Sequence, residues 1–89
     1  MVLLELNNGV ISYKKDNLLL SVGVSKSLKE ILSIKEFNMG YIVVNARYTH
    51  GIVEEYIDLD YGLSILGLSN LRNKYFKYVR SEDICVRNL

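Results

Sequence analysis

Residues 50–60 of this chain, "HGIVEEYIDLD", hold its only histidine and four carboxylates, Glu54, Glu55, Asp58 and Asp60. Histidine titrates near neutrality and can serve as a general base, and carboxylates are the usual oxygen ligands of Mg²⁺ and Ca²⁺. The spacing supports neither role. On an extended strand Glu54 and Asp58 share one face with Tyr56 between them, while Glu55 points to the other face. At roughly 3.3 Å per residue, the two same-face carboxylates stand about 13 Å apart and cannot share a cation unaided. No calcium loop with its glycine and terminal glutamate is present. His50 lies between Thr49 and Gly51 in a turn-like setting, and no GxSxG elbow supplies it with a serine. Cys85, the one cysteine, is a candidate nucleophile for His50, yet between Ile84 and Val86 it fits a small buried apolar role better. It also has no cysteine to pair with. "GVSKS" (Gly23 to Ser27) opens an expected helix, where backbone donors can hold an anion, but it lacks the second glycine of a phosphate-binding loop. The expectation is a non-enzymatic protein with no catalytic residue, no metal and no cofactor.

The charges point instead to binding. Net charge is +1, yet residues 1–51 sum to +2, residues 52–60 to −4 and residues 61–89 to +3. Tyrosine is abundant, with seven residues (13, 41, 48, 56, 61, 75 and 78), two Phe and no Trp. Tyrosine joins a large contact area to a polar handle and is enriched at protein interfaces. The first candidate surface is therefore acidic and aromatic, formed by Glu54, Tyr56, Asp58 and Asp60 and suited to a basic protein partner. The alternative is the segment "RNKYFKYVR", where Arg72, Lys74, Tyr75, Lys77 and Arg80 combine the residue types that neutralise phosphates and stack on bases. Helical spacing works against it. It sends Leu71, Tyr75 and Val79 to a core face and leaves the cations as a solvated rim.

The elements that must position these residues follow from pattern and length. A chain of 89 residues builds one core and one domain, residues 1–89. "VLLEL", "VISYKK" and "LLLSVG", separated by "NNG" and Asp16-Asn17, predict an N-terminal antiparallel meander. In "SKSLKEILSIKEF" the spacing of Leu28, Ile31, Leu32 and Phe37, with Ser27 and Glu30 placed as a capping box, predicts a helix over 28–37. "YIVVNARY" is β-branched and aromatic and predicts the central strand, turning near Thr49-His50-Gly51 into "IVEEYIDL". Asp58 or Asp60 then caps a short helix ending at Gly67, Ser69 starts another turn, and "DICVRNL" supplies a last strand.

The expected class is α+β: a mainly antiparallel sheet of about five strands with one well-defined helix and one or two short C-terminal helices. The longest apolar runs, "LLL" and "YIVV", are far below the ~18 residues of a membrane span, and the first residues lack a secretory pattern. The expectation is a cytoplasmic protein with no membrane contact. Its expected role is docking onto a larger protein, with a phage or mobile-element inhibitor of the anti-CRISPR or other anti-defence type as one concrete form and a nucleic-acid-binding defence protein as its partner. Nucleic-acid binding is the second expectation. A homodimer through a free sheet edge is a third question that composition leaves open.

Overall fold

The computed structural model describes residues 1–89. Strands β1 (Val2–Asn7), β2 (Val10–Lys15) and β3 (Leu18–Gly23) form the expected meander, and a later strand, β7 (Ile84–Asn88), joins it parallel to β1. The order across this first sheet is β3-β2-β1-β7. Its first turn places Asn8 and Gly9 at φ of 51° and 81°. Two successive positive values match the right-handed twist of the flanking strands, and Asn-Gly adopts them with little strain. Val2, Leu4, Leu6, Ile11, Tyr13, Leu18 and Leu20 point inward. On the outer face the nearly buried Glu5 accepts from Lys14 at 2.5 Å and lies 3.5 Å from Arg87. The Lys14 hydrogen bond holds the Glu5 carboxyl below the usual carboxylate range; burial opposes this, and the charges of Lys14 and Arg87 support it.

The segment expected to be a helix over 28–37 is a strand. β4 (Leu28–Asn38), β5 (Tyr41–Tyr48) and β6 (Gly51–Asp58) form a second, three-stranded antiparallel sheet in the order β4-β5-β6. Pairing of β4 with β5 slips between Leu28 and Glu30, between Ile31 and Ser33, and between Ile34 and Glu36. Each slip sets one extra residue of β4 against the partner, as a β-bulge does. Leu28, Ile31, Ile34 and Phe37 thereby fall opposite Tyr48, Ala46, Val44 and Ile42. An inward period of three on β4 thus matches an inward period of two on β5, and a period of three is easily taken for a helix. Leu32, which a helix would bury beside Leu28, is exposed. Seven strands in two sheets therefore replace the single sheet of about five, and the molecule is strand-dominated. With no helix after it, "GVSKS" offers no helix terminus to an anion.

The remaining helices are short, as expected: α1 (Asp60–Ile65), α2 (Arg72–Phe76) and 3₁₀ turns at Ser69–Leu71 and Ser81–Asp83. None is long and apolar enough to cross a membrane. The inward faces of both sheets meet in one core, joined by Leu59, Leu63, Tyr75 and Phe76 from the connecting segment. At its centre Tyr13 of the first sheet, Phe37 of the second and Phe76 of α2 touch one another, with ring centroids 5.4–6.2 Å apart. The buried Tyr13 hydroxyl donates to the Tyr75 carbonyl at 2.9 Å.

The two sheets meet differently at their two margins. On one side β7 and β4 are joined by the Asn88 amide: its Oδ1 accepts from the Ile31 N–H (2.8 Å) and its Nδ2 donates to the Ile31 carbonyl (3.0 Å). A side chain there replaces the missing ladder between two edge strands. On the other side no strand pairing links β3 to β6. That margin is an open seam, with α1 lodged beside it where Gly62 packs on Leu20.

Candidate functional site

A cleft of 390 Å³ lies in the open seam, lined by Val22, Gly23, Val24 and Ser25 on one side and by Tyr48, Glu55, Tyr56, Ile57, Asp58 and Tyr61 on the other. Local folding explains its make-up. The turn at Thr49-His50 folds β6 back on β5 so that Tyr41, Val43 and Tyr48 face Asp58, Tyr56 and Gly51. β6 then ends its sheet, and nothing pairs with its far edge. A groove along a strand's edge meets side chains from both faces, so the consecutive residues 55–58 all contribute to it.

Each of the four carboxylates has a different setting. Glu54, on the outer face, is taken by Lys35 at 2.5 Å, and that bond raises the Lys35 pKa. Asp60 holds Arg72 through two hydrogen bonds of 3.0 and 2.5 Å. Asp58 accepts the Tyr61 N–H at 3.2 Å and so anchors the start of α1. Glu55 accepts the Tyr48 hydroxyl at 2.5 Å. Burial, then this hydrogen bond and the Glu55 charge, push the Tyr48 pKa up to about 12, so the hydroxyl keeps its proton. Neither Glu55 nor Asp58 forms an ion pair, though the Asp58 charge reaches Arg72, and both line the cleft. No lysine or arginine lines it.

Of the four residues read from sequence as an acidic, aromatic face, Tyr56 and Asp58 therefore belong to the cleft, while Glu54 and Asp60 stand beside it as halves of ion pairs. Tyr56 is 58% exposed and stacks on Tyr41, with centroids 5.2 Å apart. Tyr41 is itself fixed, donating to Glu36 at 2.9 Å and accepting from Asn38 at 3.0 Å. Glu55 is the residue that sequence reasoning missed. Strict alternation sends it away from Glu54 and Asp58, and only the free edge of β6 brings both faces into one groove.

The basic candidate is dispersed. Arg72 is engaged by Asp60, Arg80 lies 3.3 Å from Asp83 and 3.5 Å from Glu82, and Tyr75 is packed in the core, as its spacing with Leu71 and Val79 implied. α2 stops at Phe76, so residues 72–80 are not one helix face. Lys74 and Lys77 remain without carboxylate partners, each 5.3 Å from the ring centre of the following tyrosine. His50 is exposed at the hairpin tip, its ring 5.4 Å from that of Tyr48. Cys85 is exposed on β7 rather than buried, because Ile84 takes the inward position. No three His, Cys, Asp or Glu side chains are grouped as a metal site. A larger hollow of 490 Å³, lined by Met1, Tyr78, Val79 and others, mixes Lys15 with Glu82 and Asp83 and so selects neither charge.

Comparison with known families adds one match: the family described as Domain of unknown function (DUF7724) covers residues 1–84. The chain belongs to DUF7724. No curated protein and no solved structure matches it. The residues of this DUF7724 domain matched by the family include both walls of the cleft and α1.

Proposed function

We propose that this domain is a non-enzymatic module that docks onto a larger protein at the open seam, using Tyr56 and Asp58 of the acidic face together with Glu55, Tyr48 and Tyr61. One observation carries the reading: two carboxylates outside any ion pair line a tyrosine-walled cleft that no lysine or arginine lines. Such a site favours a basic protein surface and disfavours an acidic one. Tyrosine rings supply contact area at little cost in conformational freedom. An inhibitor carried by a phage or mobile element, including one of the anti-CRISPR type, is a concrete form of this role. It rests on size and composition.

The test compares the tagged domain with its Glu55→Lys/Asp58→Lys variant in cells, with nuclease added to half of each lysate. A stoichiometric protein should co-purify with the native domain, survive nuclease and be lost from the variant. Retention by the variant, with its fold intact by circular dichroism, would overturn the assignment. Nucleic-acid binding is the second reading. It keeps Lys74, Lys77 and the 82%-exposed Tyr78. Its mark is an affinity for a mixed oligonucleotide that falls steeply with salt.

A further inference from the structure

Resting on the docking reading above, we propose that the seam takes an extended peptide, which adds as a fourth strand along the free edge of β6. The peptide places basic side chains beside Asp58 on the outer face and beside Glu55 on the inner face, with large apolar side chains before and after them.

An edge strand presents unpaired backbone N–H and C=O groups, and a segment that pairs with them gains affinity from the main chain and specificity from alternate side chains. β6 is open to such pairing. All four residues from Gly51 to Glu54 are exposed, with Ile52 at 65% and Val53 at 41%. Further along the strand, the contribution of four consecutive residues to the cleft marks it as running along the edge rather than over one face.

The chemistry changes along β6. The exposed Ile52 and Val53 precede the cleft, outside its lining and on opposite faces of the strand, and Glu55, Tyr56 and Asp58 follow within it. Beyond them both walls continue into a 270 Å³ hollow lined by Leu19, Leu20, Ser21, Gly62, Ile65 and Leu66. On the β3 wall the hollow directly precedes the cleft, residues 19–21 against 22–25, and on the α1 wall Gly62 directly follows Tyr61. Leu19, Ile65 and Leu66 are each more than half exposed there. An apolar, acidic, apolar order calls for the complementary order in the occupant. The eight residues of β6 span about 27 Å at roughly 3.4 Å each, which sets the paired segment at seven or eight residues.

A second copy of the chain fits poorly. Antiparallel pairing of β6 with itself brings the Glu54-Glu55 pair of one copy against the same pair of the other, and directly opposed like charges are destabilising. Glu55 is common to both arrangements, so a carboxylate that invites a basic strand also discourages self-pairing.

The experiment selects binders to the immobilised full chain from a displayed library of random decapeptides. The strongest binder is synthesised in four forms: unmodified, with each lysine or arginine changed to glutamate, and with alternate amides N-methylated in either of two phases. Enriched sequences should carry a cation flanked by apolar residues. Charge reversal should weaken binding more than tenfold. One methylation phase should weaken it more than tenfold while the other stays within about twofold, because only every second amide of an added strand faces β6. Hydrogen exchange should slow at alternate amides of residues 51–58.

If both methylation phases bind like the parent while charge reversal abolishes binding, strand addition is wrong and the docking reading stands. Enrichment of acidic peptides, or a binder indifferent both to charge reversal and to Glu55→Gln/Asp58→Asn, sinks both. A library without enrichment also overturns strand addition. So does a concentration-dependent dimer, seen by sedimentation, whose β6 amides are already protected.

Discussion

Gly40 and Tyr13 are single positions where local chemistry supports much of the surrounding structure. Gly40 sits at φ +101° in the β4-β5 turn, and its carbonyl accepts the N–H groups of Leu59 (2.7 Å) and Asp60 (2.9 Å). A Cβ there would stand 2.8 Å from the Phe76 ring and 2.9 Å from Asp60 Cβ. Gly40→Ala therefore combines backbone strain with a clash, and should lower stability by about 2 kcal/mol or more, read from the urea midpoint. Tyr13 makes an alkaline prediction. Its buried hydroxyl is pushed above the ordinary value of 10.0, first by burial and then by the Asp16 charge, and that of Tyr48 is raised to about 12. The unfolded chain releases both protons near pH 10, whereas the folded chain holds them. This stability is complete below about pH 10 and lost as pH rises through the folded values. Thermal midpoints should fall across that range, and Tyr13→Phe should flatten the fall. At neutral pH the same change should cost only about 1 kcal/mol, since Lys15 also donates to the Tyr75 carbonyl at 3.4 Å.

At the scale of elements, β4 shows how a bulged strand can imitate a helix in sequence. Leu28, Ile31, Ile34 and Phe37 are spaced by threes without the fourth-residue steps that keep apolar groups on one helix face. Ile34 is the discriminating residue: a helix that buries Leu28 and Ile31 turns Ile34 away, while the strand packs it against the core. The expected helix over 28–37 took Leu32 as a core residue and left Ile34 out, and the structure reverses the two. Substitutions measure the difference. Leu32→Lys should change stability by no more than about 0.5 kcal/mol, whereas Ile31→Ala should cost about 2–5 kcal/mol, both read by chemical unfolding. The hairpins were far more legible. Asn8-Gly9, Asp16-Asn17 and Thr49-His50 each lie between runs of suitable length, and the structure turns at all three.

Across the whole molecule, the two sheets share one core but close at only one margin. Asn88 completes the β7-β4 margin with two hydrogen bonds to a single residue of a distant strand. Asn88→Ala leaves the N–H and C=O of the buried Ile31 without these partners and should cost about 1–3 kcal/mol. Amide exchange at Ile31 should quicken well beyond the general loss of protection, which distinguishes an opened margin from uniform destabilisation. The opposite margin has no such closure, and the acidic cleft lies there. The candidate site was accordingly half legible. The band from Glu54 to Asp60 could be read as acidic from its composition, but which carboxylates remain uncompensated depended on Lys35 and Arg72, residues 19 and 12 positions away in the chain.

The sequence by itself determined a single small domain, three of its four hairpin turns, its short C-terminal helices and the concentration of negative charge before α1. These depend on local backbone preference and composition, which act over a few residues. Only the tertiary structure decided that residues 28–38 pair as a bulged strand, that the strands divide into two sheets, and that Glu55 joins Asp58 in one cleft. Those outcomes depend on which strand lies beside which and in what register, and the period of three that the bulges leave on β4 is easily taken for that of a helix.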